Sequence, residues 1–224
     1  MSTPRDAAAS VRTDRFFSYW LGWVSLGEFA GFLVPMAAES LIITAGLDDL
    51  PGAGLLVVSG LGEGAVLGAA MSWRFSRRLP ALNRRRFALL SALGGAMAWA
   101  LGMMPVVTVE AWAGWPVPLV VIAGIVLGIA LLASIGVLQW IELRRHLVAA
   151  WAWVLATAAA WCAGLGAFFA IAPPLWNEGQ TLPLVLAIGA LGAAAMAITM
   201  AAITGWAAVA LLRRTRANTV SGAW

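Results

Sequence analysis

The stretch Trp73-Arg74-Phe75-Ser76-Arg77-Arg78-Leu79-Pro80-Ala81-Leu82-Asn83-Arg84-Arg85-Arg86-Phe87 carries six arginines between two long apolar runs. The remaining basic residues, also all arginines, fall in three further places. Arg5, Arg12 and Arg15 precede the first apolar run, Arg144 and Arg145 sit in one loop, and Arg213, Arg214 and Arg216 follow the last run. The intervening connections carry only acids: Asp48 and Asp49, Glu110, and Glu178. Arginine concentrates in loops retained in the cytoplasm, so this alternation predicts an all-α, polytopic membrane protein. Six spans are expected, with both termini and both basic loops cytoplasmic.

Composition agrees. Of the 224 residues, 62% are hydrophobic, and the mean hydropathy is +0.90. A soluble domain sits at about 45–50% apolar. A helix needs about 20 apolar residues to cross the hydrocarbon, and the runs that qualify are Phe16–Pro35, Ala53–Ser72, Phe87–Val107, Leu119–Ile141, Leu147–Ala172 and Leu184–Leu212. This divides the chain into a tail (1–15), a six-helix membrane domain (16–212) and a second tail (213–224). The first run is too long for the apolar region of a cleaved signal peptide and contains Glu28 and Pro35, so it is expected to stay as a helix. A net charge of +4 does not point to nucleic acid, because the arginines border spans and suit anionic lipid headgroups. The lone Cys162 falls inside the fifth run and allows no intrachain disulfide. A lysine-free, Ala/Gly/Arg-rich composition suggests the inner membrane of a bacterium.

Several features recur at one period. The arginine pairs Arg77-Arg78, Arg144-Arg145 and Arg213-Arg214 are preceded by Gly68, Gly136 and Gly205. Pro35, Pro105 and Pro173 are expected to end the outgoing helices, and Ser25, Ser91 and Thr157 lie early in them. The spacing, about 68 residues, predicts three parallel helical-hairpin repeats (16–78, 87–145 and 147–214) about an axis along the membrane normal. Mitochondrial carriers are also built from three hairpins, but their Pro-x-acid-x-x-base signature is absent after all three prolines. The run Gly136, Gln139, Leu143-Arg144-Arg145, followed by Trp153-Val154-Leu155-Ala156-Thr157, resembles bacterial multi-pass membrane proteins to which no activity is assigned. In the first hairpin Met71 stands where Gln139 does. The resemblance implies a fold and no chemistry.

Small-xxx-small faces are expected to pack the helices: Gly27 and Gly31, then Gly60, Gly64 and Gly68, then Gly124 and Gly128. Trp20, Trp23, Trp73, Trp140, Trp151 and Trp153 are expected in an inner interfacial belt, and Trp112, Trp115 and Trp176 in an outer one. Trp99, Trp161 and Trp206 lie deeper.

Glu28 and Glu63 are the chemical anomaly. At about 1.5 Å per residue, Glu28 lies about 18 Å from one boundary and Glu63 about 15 Å from the other. An acid at that depth costs about 2.5–3.5 kcal/mol to insert, and no arginine or histidine falls inside a span to offset it. Each is three residues from a packing glycine, Gly31 or Gly60, which puts it on or beside a helix contact. The equivalent repeat positions fall near Gly94 and Ala160 for Glu28, and near Leu131 and Met200 for Glu63, so the scaffold itself does not need the acids. One reading is a proton- or cation-coupled site of Glu28, Glu63, Ser25 and Ser59, with Trp99, Trp161 and Gln139 as candidates for lining a substrate path. The other is a pair of buried acids hydrogen-bonded to Ser25 and Ser59, one turn away. Glu142, beside Arg144 and Arg145, is expected to form a solvated ion pair with them.

No nucleophile–base pair, metal cluster, phosphate loop or dinucleotide fingerprint occurs, so neither catalysis nor a cofactor is expected. Two functions follow: a small proton- or cation-coupled transporter or binding protein, or a non-catalytic scaffold or accessory subunit. The expected partners are membrane lipids, and a membrane protein or a second copy of this chain.

Overall fold

A computed structural model describes the backbone of residues 4–221 and the side chains of residues 15–218. It contains helices α1 (Pro4–Ala45), α2 (Asp49–Ser76), α3 (Arg84–Val107), α4 (Val109–Trp112), α5 (Val117–Leu143), α6 (Ala152–Leu175) and α7 (Leu182–Ser221). No strand occurs among the described residues. All but the single-turn α4 are long and apolar enough to cross a membrane, giving six spans. Hydrocarbon offers the backbone no hydrogen bonds, so a chain of this composition is stable there only with its amides paired within helices. The protein is therefore an integral, multi-pass membrane protein.

Local chemistry sets the helix ends. The Asn83 side chain accepts a hydrogen bond from the Arg86 amide at 3.0 Å and caps α3. Gly46 and Gly179 turn the chain after α1 and α6 with φ of +61° and +78°, a region that favours glycine. Pro35 does not end its helix: α1 runs on to Ala45. Proline removes one amide donor and clashes with the carbonyl one turn back, which in a membrane bundle leaves room for the helix to resume. α3 stops two residues after Pro105, and α6 one residue after the Pro173-Pro174 pair.

The spans form a closed ring. Each packs principally against its neighbours in the order α1, α2, α3, α5, α6, α7, and α7 returns to α1. Because the spans alternate in direction, all the loop arginines gather at one end of the ring. The axis at that end is filled. Trp20, Phe75, Phe87 and Trp153 come from four different helices and are all fully buried. Trp20 meets Phe75 at 4.8 Å between ring centroids, and Phe75 meets Trp153 at 5.2 Å, both edge-on. The other two helices join through side-chain bonds. Trp20 Nε1 donates to Thr204 Oγ1 of α7 at 3.2 Å, and Trp153 Nε1 donates to Gln139 Oε1 of α5 at 2.8 Å. Trp20 and Trp153 thus belong to this plug and not to an interfacial belt. Their indole N–H groups find partners inside the ring, which removes the pull toward headgroups.

Lipid tails are as apolar as the helices, so association depends on close backbone approach. α2 is held in this way on both sides. A Cβ on Gly64 would collide with the Ser91 carbonyl of α3, and one on Gly60 would come within 2.8 Å of the Gly95 oxygen. Toward α1, a Cβ on Gly31 would lie 3.0 Å from the Glu63 carbonyl oxygen, and Gly27 rests on Ala70. Gly124 and Gly128 of α5 differ, since a Cβ on either meets nothing within 4 Å. That small-residue face is not used within the chain.

Gly64→Ala is expected to lower stability by about 1–3 kcal/mol, because the helix backbone on the far side cannot yield. Gly22→Ala, where a Cβ meets open space, is the control. Thermal unfolding of both variants in detergent checks the pair: equal melting temperatures would mean the α2–α3 contact is looser than described.

Candidate functional site

Beyond the plug, the ring holds a half-open cavity of about 270 Å³, with the exposed Phe169 on its rim. All six spans reach its wall: Phe32 from α1, Glu63 from α2, Trp99 from α3, Leu131 from α5, Trp161 from α6 and Met196 from α7. A second chamber of about 360 Å³ adjoins it toward the end of the ring away from the arginines. The part of α1 that continues past Pro35 forms one wall there, with Met36, Glu39, Ser40 and Ile43, and α7 forms the other. Phe32, Trp99 and Phe168 line both chambers. The rings of Phe32 and Phe168 are 5.6 Å apart, so these aromatics mark the boundary between the two spaces.

The lining of the inner chamber is apolar except at Glu63. Glu63 is 4% exposed, and its Oε2 accepts a 2.7 Å hydrogen bond from Trp99 Nε1. This bond crosses from α2 to α3 beside the glycine contact. Gly60, one turn before Glu63, lacks the Cβ that would lie 2.5 Å from Trp99 Cδ1. Close packing of α2 on α3 thereby sets the indole over the carboxyl. The Trp161 Nε1 atom is buried and has no acceptor among the described residues.

Glu28 is more enclosed. It is 1% exposed, neither carboxyl oxygen has a hydrogen-bond partner among the described residues, and it is not among the residues lining the cavity. Glu63 packs against Gly31 of α1, one turn from Glu28, so the α1–α2 contact carries both acids, with Glu63 at the cavity wall.

The serines do not join them. Ser59 donates to the Leu56 carbonyl at 2.7 Å, and Ser25 to the Ala197 carbonyl of α7 at 3.5 Å. Helical serines commonly bond back to the preceding turn, which is the competing interaction for Ser59. The reading of two acids satisfied by neighbouring hydroxyls therefore does not describe Glu28.

The aromatic candidates separate. Trp99 and Trp161 are on the cavity wall, whereas Trp206 is 70% exposed on the outer surface of α7. Gln139 lies away from the cavity, fully buried. Its Nε2 donates to Ser91 Oγ at 3.0 Å while its Oε1 accepts from Trp153. It ties α5 to α3 and α6 and lines no vestibule. Glu142 is 2% exposed and faces away from Arg144 and Arg145. Its Oε1 accepts from the Asn83 amide at 3.0 Å and contacts His146 Nε2 at 3.1 Å, with Arg86 Nε 3.5 Å from Oε2. On a helical turn the i+4 neighbour, here His146, shares the face of Glu142, whereas Arg144 at i+2 does not.

Phe32 and Phe168, the boundary aromatics, were not apparent from the sequence, since phenylalanine in an apolar helix carries no mark of which face it occupies. No group of three or more His, Cys, Asp or Glu side chains able to hold a metal occurs among the described residues. Comparison with known protein families, with curated proteins and with solved structures gives no match.

Gln139→Leu leaves the Trp153 N–H without its acceptor and Ser91 without its donor in a dry core. An unsatisfied buried group costs about 1–3 kcal/mol, so this variant is expected to unfold at lower temperature while its cavity ligands bind as in the wild type. Loss of ligand binding in a variant that retains its melting temperature would assign Gln139 to the binding path.

Proposed function

We propose that the protein is a small proton- or cation-coupled transporter or binding protein, acting without catalysis, in which the Glu28–Glu63 pair exchanges a proton for a cationic substrate. The single observation that carries this reading is the placement of Glu63 in the wall of an apolar chamber reached by all six spans. An ionised carboxyl in such a chamber lacks a counter-charge. A substrate cation supplies one, and the displaced proton leaves to water at the end of the ring away from the arginines. Glu28, enclosed at the α1–α2 contact and without a partner among the described residues, serves as the second proton position. Phe32, Trp99, Trp161 and Phe168 supply aromatic faces that favour cations.

The aromatic plug closes the arginine end while the outer chamber adjoins the other. With the arginine loops and both termini in the cytoplasm of a bacterial inner membrane, this arrangement is an outward-facing one. The three hairpins are part of the same proposal, each a repeat whose equivalent positions, such as Trp20, Phe87 and Trp153, build the plug.

A second reading rests on α5. Gly124 and Gly128 are unused within the chain, and Ile122, Ile125 and Ile129 beside them are exposed. In a scaffold or accessory subunit, this face would receive a helix of another membrane protein or of a second copy.

Two experiments bear on these readings. Lipophilic cations added to the purified protein in weak buffer near neutral pH are expected to release protons, and Glu63→Gln or Glu28→Gln is expected to abolish the release. Cation binding by the wild type without any release would remove the exchange mechanism. For topology, single cysteines at Arg145 and Asn177 in a Cys162→Ser background are expected to react with an impermeant thiol reagent from opposite sides, Asn177 from outside. The reverse pattern would invert the orientation.

A further inference from the structure

A further hollow lies on the outside of the ring, where α1 and α2 meet near the arginine end. It is a groove of about 350 Å³ between Trp23 and Ala30 of α1 and Val66, Ala69 and Trp73 of α2. Small side chains create it. At its floor Gly27 rests on Ala70, and a Cβ on the glycine would lie 2.5 Å from the Ala70 Cβ. Ala30 and Ala69 stand exposed above this contact and are too short to fill the space. Trp23 and Trp73 are exposed too, so the groove opens to the surroundings of the bundle and not to the chambers inside. From Trp73 back to Val66, and from Trp23 on to Ala30, is seven residues. At 1.5 Å per residue the groove runs about 10 Å along the helices.

One end of the groove is charged. Arg84, the first residue of α3, lines it, and its guanidinium carbon lies 4.6 Å from the centroid of the Trp73 ring. Arg77 lies over the same ring at 5.3 Å. Both arginines are exposed, and neither has a carboxylate partner among the described residues, where Arg86 takes Glu142. A guanidinium stacked on an indole keeps its edge N–H groups for an anion. The stacking also restrains a long side chain before any anion arrives, which lowers the cost of binding one. The rings of Trp23 and Trp73, 6.3 Å apart, flank the charged end, as amphipathic rings do at headgroup level. Fixed positive charge at one end, continued by an apolar groove parallel to the spans, complements an anion that carries a hydrocarbon chain. A small soluble anion would leave the groove unfilled.

From this geometry we infer that the groove binds one anionic glycerophospholipid from the leaflet at the arginine end. Its phosphate pairs with Arg77 and Arg84, and one acyl chain lies between α1 and α2 over the Gly27–Ala70 contact. Basic pockets between spans are a recognised mode of headgroup binding. A zwitterionic headgroup would bring an ammonium among these arginines and is disfavoured. The site is separate from the carboxylate chamber and does not depend on the function proposed for it.

The test is native mass spectrometry of the intact protein in detergent, with equal amounts of phosphatidylglycerol and phosphatidylcholine carrying the same palmitoyl and oleoyl chains. The wild type is expected to retain one phosphatidylglycerol in preference to phosphatidylcholine. Arg77→Gln and Arg84→Gln are each expected to lower that preference about fivefold, the weight of one arginine at an anionic surface. Arg213→Gln, also exposed at that end but on α7, should leave it unchanged. Ala69→Trp fills the groove and is expected to lose the bound lipid while keeping the wild-type melting temperature in lipid-free detergent. Ala30→Phe, from the facing helix, repeats this arm if Ala69→Trp does not fold. Equal retention of the two lipids by the wild type, or an unchanged preference in Arg77→Gln and Arg84→Gln, would overturn the inference. An equal effect of Arg213→Gln would also overturn it, since the attraction would then be a diffuse one of the whole arginine end. A folded groove-filling variant that still retains phosphatidylglycerol would show that the arginines hold a headgroup without the groove, and the assigned site would be wrong.

Discussion

Backbone contact across α2 is the constraint on which the rest of the structure depends. In water, six apolar helices would be driven together by the surface they bury, but between lipid tails that drive is absent. What remains is dispersion and dipole contact, both of which fall steeply with distance. Gly60, Gly64 and Gly68 let α3 approach α2 to backbone contact, while Gly27 and Gly31 do the same for α1. The ring is therefore tightest around α2. Across it the outer half of α5 is barely packed, with Val117, Ile122 and Ile129 all exposed. This gradient, from a close-packed first hairpin to a loose outer α5, leaves the interior wide enough for a chamber at one end and full at the other.

At the arginine end the side chains form closed circuits: Gln139 with Ser91 and Trp153, Trp20 with Thr204, and Glu142 with Asn83, Arg86 and His146. Most of these bonds join helices that are distant in sequence. Buried polar atoms without a hydrogen-bond partner among the described residues occur in both halves: the Glu28 carboxyl and Trp161 Nε1 in the outer one, and Arg74 Nε, Thr157 Oγ1 and Glu142 Oε2 toward the arginines.

Much of this was legible in the sequence. Six spans followed from apolar length and from arginine placement, because lipid imposes those two conditions on any chain. The inward placement of Glu28 and Glu63 followed from their distance to Gly31 and Gly60, since a helix turn fixes what shares a face. The radial direction of the remaining side chains was not legible. These spans are apolar all round, so periodicity does not separate a lipid-facing Trp206 from a plug-forming Trp153 or a cavity-lining Trp161. Nor could spacing reveal that Gln139 finds partners on two other helices, or that the helix resumes after Pro35 to build the wall of the outer chamber. These depend on which helices become neighbours, and that is a property of the closed ring.

The position of Gly60 has a further consequence for how such a protein changes over generations. Its missing side chain does two things: it admits the α3 backbone at Gly95, and it leaves the space occupied by the Trp99 ring, whose nitrogen holds Glu63. A single residue thus couples assembly to chemistry. A lineage cannot loosen the seam between these helices without also releasing the carboxyl, and it cannot retune the carboxyl from this side without reopening the seam. Changes to the chamber wall would then arise mainly on the opposite side, from α5, α6 and α7, where side chains can vary without disturbing a backbone contact at α2.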